Sequence, residues 1–338
     1  MQRDLMNKLL TTPQLALAAI ISLAAAGAQA QSQVNVYGLV DLGLGSYKEA
    51  GASQTRQTKV ESGKLTTSYW GLSGSEDLGN GLKAQFKLES FLRADGGELG
   101  RFNGDAQFAR TASVGLSHPS WGSFNLGRNT TALFLSTLSS NALGDSFGFS
   151  PSIRHHFGGG QNAVSGDTAW NDSIAYASPT WGGWRLGAAM AARESSNGGN
   201  WSLNLGYANG PLAAALVVQD VEKDGSSAVA DTRTAQLSAS YDFGAAKLFG
   251  QYSSVENRSD NSQRDLTGLG VRVPLGQGAL VAQWGRNDVD QGTDRNTTSV
   301  GYLHALSKRT ELYGVLMHDK LDDKPAGSAL AVGMRHRF

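Results

Sequence analysis

The chain has 338 residues, with 29 Lys and Arg against 29 Asp and Glu, so no net field draws it to nucleic acid and no basic run supplies a local one. It has no cysteine, so it must hold together by backbone pairing or a large core and not by disulfides. Its 43 glycines and 7 prolines suit many tight turns between strands and disfavour a disordered secreted chain.

Residues 1–30 read as a secretory signal peptide. Arg3 and Lys8 supply the basic start, Leu15 to Ala28 the apolar stretch, and Ala28-Gln29-Ala30 the small-x-small cleavage site. The apolar stretch is shorter than the roughly 20 residues that span a bilayer, so it is an address and not an anchor. Cleavage takes Arg3, Asp4 and Lys8 away and leaves 27 basic and 28 acidic residues on a mature chain starting at Gln31.

From there the chain alternates with a period of two. Leu82, Ala84, Phe86 and Leu88 oppose Lys83, Gln85, Lys87 and Glu89; Trp184, Leu186, Ala188 and Met190 oppose Arg185, Gly187, Ala189 and Arg193. Trp201, Leu203, Leu205 and Tyr207 oppose Ser202, Asn204 and Gly206, and Ala235, Leu237, Ala239 and Tyr241 oppose Gln236, Ser238 and Ser240. Such alternation predicts strands with different solvents on their two faces. Helical periodicity is hard to find anywhere after residue 30. Short turns fall at 77–81, 118–122, 179–183, 209–210, 242–245, 274–278 and 306–309. Longer polar stretches separate them, at 48–65, 94–104, 129–168, 194–199, 224–232, 257–263, 289–295 and 320–327. Seven turns and eight loops make fifteen connections and sixteen strands. The last strand places Leu330, Val332, Met334, His336 and Phe338 on one face and runs to the final residue.

Short turns at one end, long loops at the other and an even strand number predict an all-β fold. It is a sixteen-stranded antiparallel transmembrane barrel over residues 31–338, in the bacterial outer membrane. Closure pairs every backbone group and removes sheet edges, so the chain needs no conventional core. A secreted β-sandwich is the alternative, but it calls for a denser inner face than Ser, Gly, Gln and Arg supply. Among the first five strands Arg110, Ala112 and Val114 share a parity, a less clean alternation that fits packing against another subunit.

With these segments placed, the chain resembles the general diffusion porins of Gram-negative bacteria, in their neisserial and burkholderial branch. The stretches that carry the resemblance are Val34–Asp41, Gly71–Leu82, Phe108–Leu116, Gly122–Asn129, Asn171–Pro179 and Val332–Phe338, in order along the mature chain. The resemblance implies a homotrimer, a water-filled channel for passive diffusion of small hydrophilic solutes and ions, and no cofactor. It implies that loop 129–168 folds into the lumen as a constriction, with loop carboxylates facing a ladder of wall arginines and lysines. It also implies Phe338 as the signal to the outer-membrane assembly machinery, and lipid and lipopolysaccharide around the barrel.

Carried over residue by residue, Arg110 matches the wall arginine of the fourth strand. Asp145 is the best loop carboxylate, with Asp167 at the loop's exit. Tyr69 stands where the family often has Arg, Ser73 where it often has Lys, and Thr168, Ala169 and Trp170 where another Arg is usual. Lys83, Lys87 and Arg93 on the third strand are candidate replacements, as are Arg185 and Arg193 on the seventh, and Arg154 of the loop joins the pore-lining set. These departures lead to a weakly charged constriction, or alternatively to a preference for small organic solutes carrying a ring or a carboxylate. The apolar residues of the loop, among them Leu133, Phe134, Leu135, Leu143, Phe149, Ile153 and Phe157, are expected to pack on the wall.

The pair His155-His156 is not a metal site by its spacing, since adjacent residues diverge and no carboxylate sits at ligand distance in the sequence; solvated histidines are expected. No G-x-S-x-G elbow is present, and an enzymatic barrel is disfavoured because no catalytic constellation is found. A plugged structural or adhesive barrel is the third option.

Overall fold

The computed structural model describes residues 33–51, 55–158, 165–192, 199–222, 231–290 and 292–338. The leader and Arg193 lie outside the described residues. In chain order the strands are β1 (Gln33–Lys48), β2 (Gln57–Ser62), β3 (Tyr69–Gly79), β4 (Leu82–Arg93), β5 (Glu98–Leu99), β6 (Thr111–His118), β7 (Gly122–Thr130), β8 (Ala169–Ala177) and β9 (Trp184–Ala191). They continue as β10 (Asn200–Asn209), β11 (Leu212–Glu222), β12 (Asp231–Asp242), β13 (Lys247–Asn257), β14 (Ser262–Leu275), β15 (Gly278–Val289), β16 (Arg295–Ala305), β17 (Thr310–Leu321) and β18 (Gly327–Arg337). Two short helices, α1 (Ala132–Ser139) and α2 (Pro151–Phe157), lie between β7 and β8.

The strands pair antiparallel with their neighbours, and β1 meets β18 from Leu39↔Arg337 to Lys48↔Ser328, so the sheet closes on itself. The eighteen strands make sixteen staves. β3 pairs with the first half of β1, from Gln33↔Ser75 to Leu39↔Tyr69, and β2 with its second half, from Leu42↔Ser62 to Tyr47↔Gln57. β2 and β3 are therefore one stave with a break at 63–68. β5 is only a two-residue pairing in the connection after β4. The first long connection is shorter than 48–65 because β2 occupies part of it, and the second extends beyond 104 to Arg110.

Directly opposed residues in an antiparallel pair share a face, so the registers trace both surfaces around the barrel. The outer set includes Val36 and Leu44 on β1, Val114 on β6, Leu203 on β10, Leu237 on β12, Leu316 on β17, and Leu330 and Val332 on β18, all exposed. A belt of that extent is what lipid covers. At the short-turn end, outward rings gather in pairs: Phe124 with Tyr176, Trp184 with Tyr207, Tyr241 with Phe243. Both ends of the strand series, Gln33 and Arg337, lie at that same end.

The helices correct the expectation of strands alone after residue 30. Their signals are local: Thr131 caps α1 by accepting the Phe134 amide at 3.3 Å, and Ser150 caps α2 by accepting the Ile153 amide, with Pro151 in the first turn. At eight and seven residues they are too short for apolar periodicity to register.

Candidate functional site

Connection 129–168 lies against the inner face of the wall, α1 on β10 to β12 and α2 on β14 to β16. Ser136 in α1 shares a hydrogen bond with Ser238 (2.8 Å), and Gln236 Nε2 donates to Thr137 Oγ1 (2.9 Å). Further on, Gln283 Nε2 donates to Ser152 Oγ (2.6 Å) and Ser299 Oγ to the Phe149 carbonyl (2.6 Å). Ser238, Gln236, Gln283 and Ser299 all have the parity opposite to the lipid-facing set. Apolar contact adds to this latch. Leu133, Phe134, Ile153 and Phe157 cluster with Val217, while Leu143 and Phe149 cluster with Val281, Leu303 and Val315. The expected pinning of the loop holds for these residues; Leu135 departs from it, at 51% exposed.

His155 and His156 are not solvated, contrary to expectation. Both are buried, His155 hydrogen-bonded to Thr297 Oγ1 (2.8 Å) and His156 to Ser253 Oγ (2.8 Å) and the Ser152 carbonyl (2.8 Å). They do diverge, because α2 turns them toward β16 and β13. Burial pushes His155 down to about 3, helped by the Arg295 charge, and His156 down to about 4, so both are neutral near pH 7. Among the described residues no group of three His, Cys, Asp or Glu is placed to hold a metal ion.

Three of the anticipated charges, Lys83, Lys87 and Arg110, lie on β4 and directly before β6. Lys83 and Lys87 have inner-face parity, opposite Asp77 and Ser73, and are exposed; neither forms an ion pair among the described residues. Arg110 shares the parity of the outward Ala112 and Val114, but it precedes β6 and turns inward. Its amide donates to the Glu89 carbonyl (3.3 Å), its guanidinium lies 4.1 Å over the Tyr69 ring, and its Nε is 3.4 Å from Glu89 Oε2. Glu89 is buried and also accepts the Tyr37 hydroxyl at 2.8 Å.

The remaining candidates have other neighbours. Asp145 accepts from Thr66 Oγ1 (3.0 Å), so Arg110 and Asp145 each have a different partner. Arg93 donates to Asn103 Oδ1 (2.7 Å) in the connection after β4. Arg154 is taken up by Asp319 (3.2 Å), Glu49 (3.6 Å) and the Gly148 carbonyl (3.2 Å). The Asp167 carbonyl accepts Thr131 Oγ1 at 3.2 Å. Sequence reasoning did not single out Glu89 or Asp41, two inward carboxylates buried in the wall. Their parity was legible, but their neighbours come from other staves.

Residues 16–324 match the family described as Gram-negative porin. The chain belongs to that family. The porin is 33% identical over 327 residues to outer membrane porin protein 32 of Delftia acidovorans, covering 91% of this chain and 90% of that one. It is 26% identical to the major outer membrane protein P.IB of Neisseria gonorrhoeae, over 94% and 98% of the two chains. Among solved structures it superposes on an anion-selective porin from Comamonas acidovorans with a TM-score of 0.78 and 28% identity, covering 91% of this chain and all of that one. The porin is thus a multi-pass outer-membrane barrel of the beta-proteobacterial branch. It is a channel for passive diffusion and not an enzyme.

Proposed function

We propose that loop 129–168 narrows the lumen to a weakly basic constriction, through which small hydrophilic solutes pass with a mild preference for anions. The observation that carries this reading is the unequal exposure of the inward charges. Glu89, Asp41 and Asp319 are buried and bound by neighbours, whereas Lys87 is exposed and unpaired among the described residues, and Lys83, also exposed, stands opposite exposed Asp77. Arg110 is partly neutralised by Glu89, so its share of the field is smaller than its charge suggests. Low-dielectric walls strengthen what field remains. The anion selectivity named for the Comamonas porin agrees in sign.

Salt-gradient reversal potentials test it. Lys87→Ala should move the potential toward cations. Arg110→Ala should move it in the same direction, because it leaves Glu89 uncompensated. Potentials unchanged in both variants would refute a charged constriction on this wall. A second reading, preference for organic solutes with a ring or a carboxylate, is favoured by exposed Leu135 on the loop and by the Arg110–Tyr69 stack; competing permeation rates of acetate and benzoate discriminate it. Assembly as a homotrimer, recognition of Phe338 by the assembly machinery and contact with lipopolysaccharide complete the proposal. They are supported by the family and by the apolar outer faces of β1 to β7.

A further inference from the structure

Midway along β1, Asp41 is fully buried on the inner face, and all its polar atoms but Oδ1 are engaged with the break in the second stave. Its Oδ2 accepts the amides of Leu65 (2.8 Å) and Thr66 (2.7 Å), and its Oδ1 accepts the Tyr313 hydroxyl (2.8 Å). Its carbonyl accepts the Gly63 amide (2.9 Å), and its own amide donates to Ser68 Oγ (2.9 Å). Gly63 opens the break at φ +73°, a left-handed conformation that glycine adopts without strain. Six residues, 63–68, thus stand opposite only Val40 and Asp41 of β1, as a hook turned into the lumen. Leu65 and Thr66 are buried, so without Asp41 their amides would lack partners, at a cost of about 1–3 kcal/mol each.

The other side of the hook carries the tip of the long loop. The Lys64 carbonyl accepts Ser146 Oγ (2.7 Å) and the Gly148 amide (3.0 Å), Thr66 Oγ1 donates to Asp145 (3.0 Å), and Leu65 joins the cluster of Leu143 and Phe149. Residues 145–149 rest on the hook, and the hook rests on Asp41. We propose that Asp41 is a positioning residue for the pore: through the hook at 63–68 it fixes how far loop 129–168 reaches across the lumen, and so the aperture. The inference rests on that loop being the constriction. Closure of the barrel does not depend on Asp41, because the β1 ladders with β2, β3 and β18 are made by backbone on either side of it.

The test is single-channel recording on the refolded full barrel. Asp41→Ala should replace one sharp conductance level by several, with frequent transitions between them. Asp41→Asn should restore the single level, since its amide oxygen still accepts both backbone amides and its NH2 faces the Tyr313 oxygen. Gly148→Ala attacks the same contact from the loop and leaves the Asp41 network whole. A Cβ there would lie 2.5 Å from the Lys64 carbonyl oxygen and push the tip off the hook. It should reproduce the Asp41→Ala records with unchanged heat stability of the barrel, and it decides the matter if Asp41→Ala does not assemble. Single wild-type levels in Gly148→Ala, or loss of the single level in Asp41→Asn as complete as in Asp41→Ala, would overturn the role of the hook. Failure of the constriction itself reads differently: reversal potentials indifferent to Lys87→Ala, whatever the conductance levels do.

Discussion

His155 and His156 show how much a residue's setting outweighs its type. A loop histidine is ordinarily solvated, yet these two are held neutral beneath α2, His155 facing Thr297, Asp319, Arg154 and Arg295, His156 facing Ser253 and Gln236. Their folded values, about 3 and about 4, lie below the value near 6.5 of a released histidine. The released state therefore binds more protons, and docking loses stability as pH falls from about 6.5 toward the folded values, while above 6.5 pH has no effect through these groups. Protease cleavage within 129–168 should accelerate between pH 6 and 4 with the barrel still assembled, roughly in step with the histidine range. Replacing both with Gln should flatten that dependence; an unaltered profile would assign the acid response to other groups.

Among the elements, the helices of the loop are the most sensitive to single hydroxyls. Ser150 accepts the Ile153 amide and also donates to Asn141 Oδ1 at 3.1 Å, so Ser150→Ala removes a cap and a loop cross-link together. The expected loss is about 1 kcal/mol, read as faster amide exchange in α2. Thermal unfolding of the barrel should not move, because the staves do not share that bond. Equal slowing or equal acceleration across the staves would contradict a local role. The strands themselves were legible from alternation because each stave sees two unlike environments. The break at 63–68 was not, since Ser62, Gly63 and Lys64 read as an ordinary polar loop until Asp41 is brought beside them.

For the whole molecule, the decisive contact is the seam between β1 and the C-terminus. The Gly38 amide donates to the Phe338 carbonyl (3.2 Å), the Phe338 amide to the Gly38 carbonyl (3.1 Å), and the Phe338 ring lies over the bare Gly38 Cα. A Cβ at position 38 would meet that ring at 2.5 Å. Gly38→Val should therefore lower the yield of heat-resistant assembled porin, and deletion of Phe338 should lower it further by removing ring and backbone pair at once. Undiminished yield after the deletion would separate Phe338 from assembly.

The period-two pattern, the alternating connection lengths and the apolar last strand determined the barrel, its sixteen staves and the length of the inserted loop. These are local properties: whether a side chain meets lipid or lumen follows from its parity along one strand. Which inward charges are buried against partners was decided only by tertiary structure. Arg110 defied its own parity because it lies one residue outside β6, and its partner is Glu89 on the neighbouring stave, not Asp145 on the loop. Asp41 reads in sequence as one polar residue among Leu, Val and Gly. Its partners Leu65, Thr66 and Ser68 come from the break in the next stave, and Tyr313 comes from β17, brought beside it only once the sheet has closed.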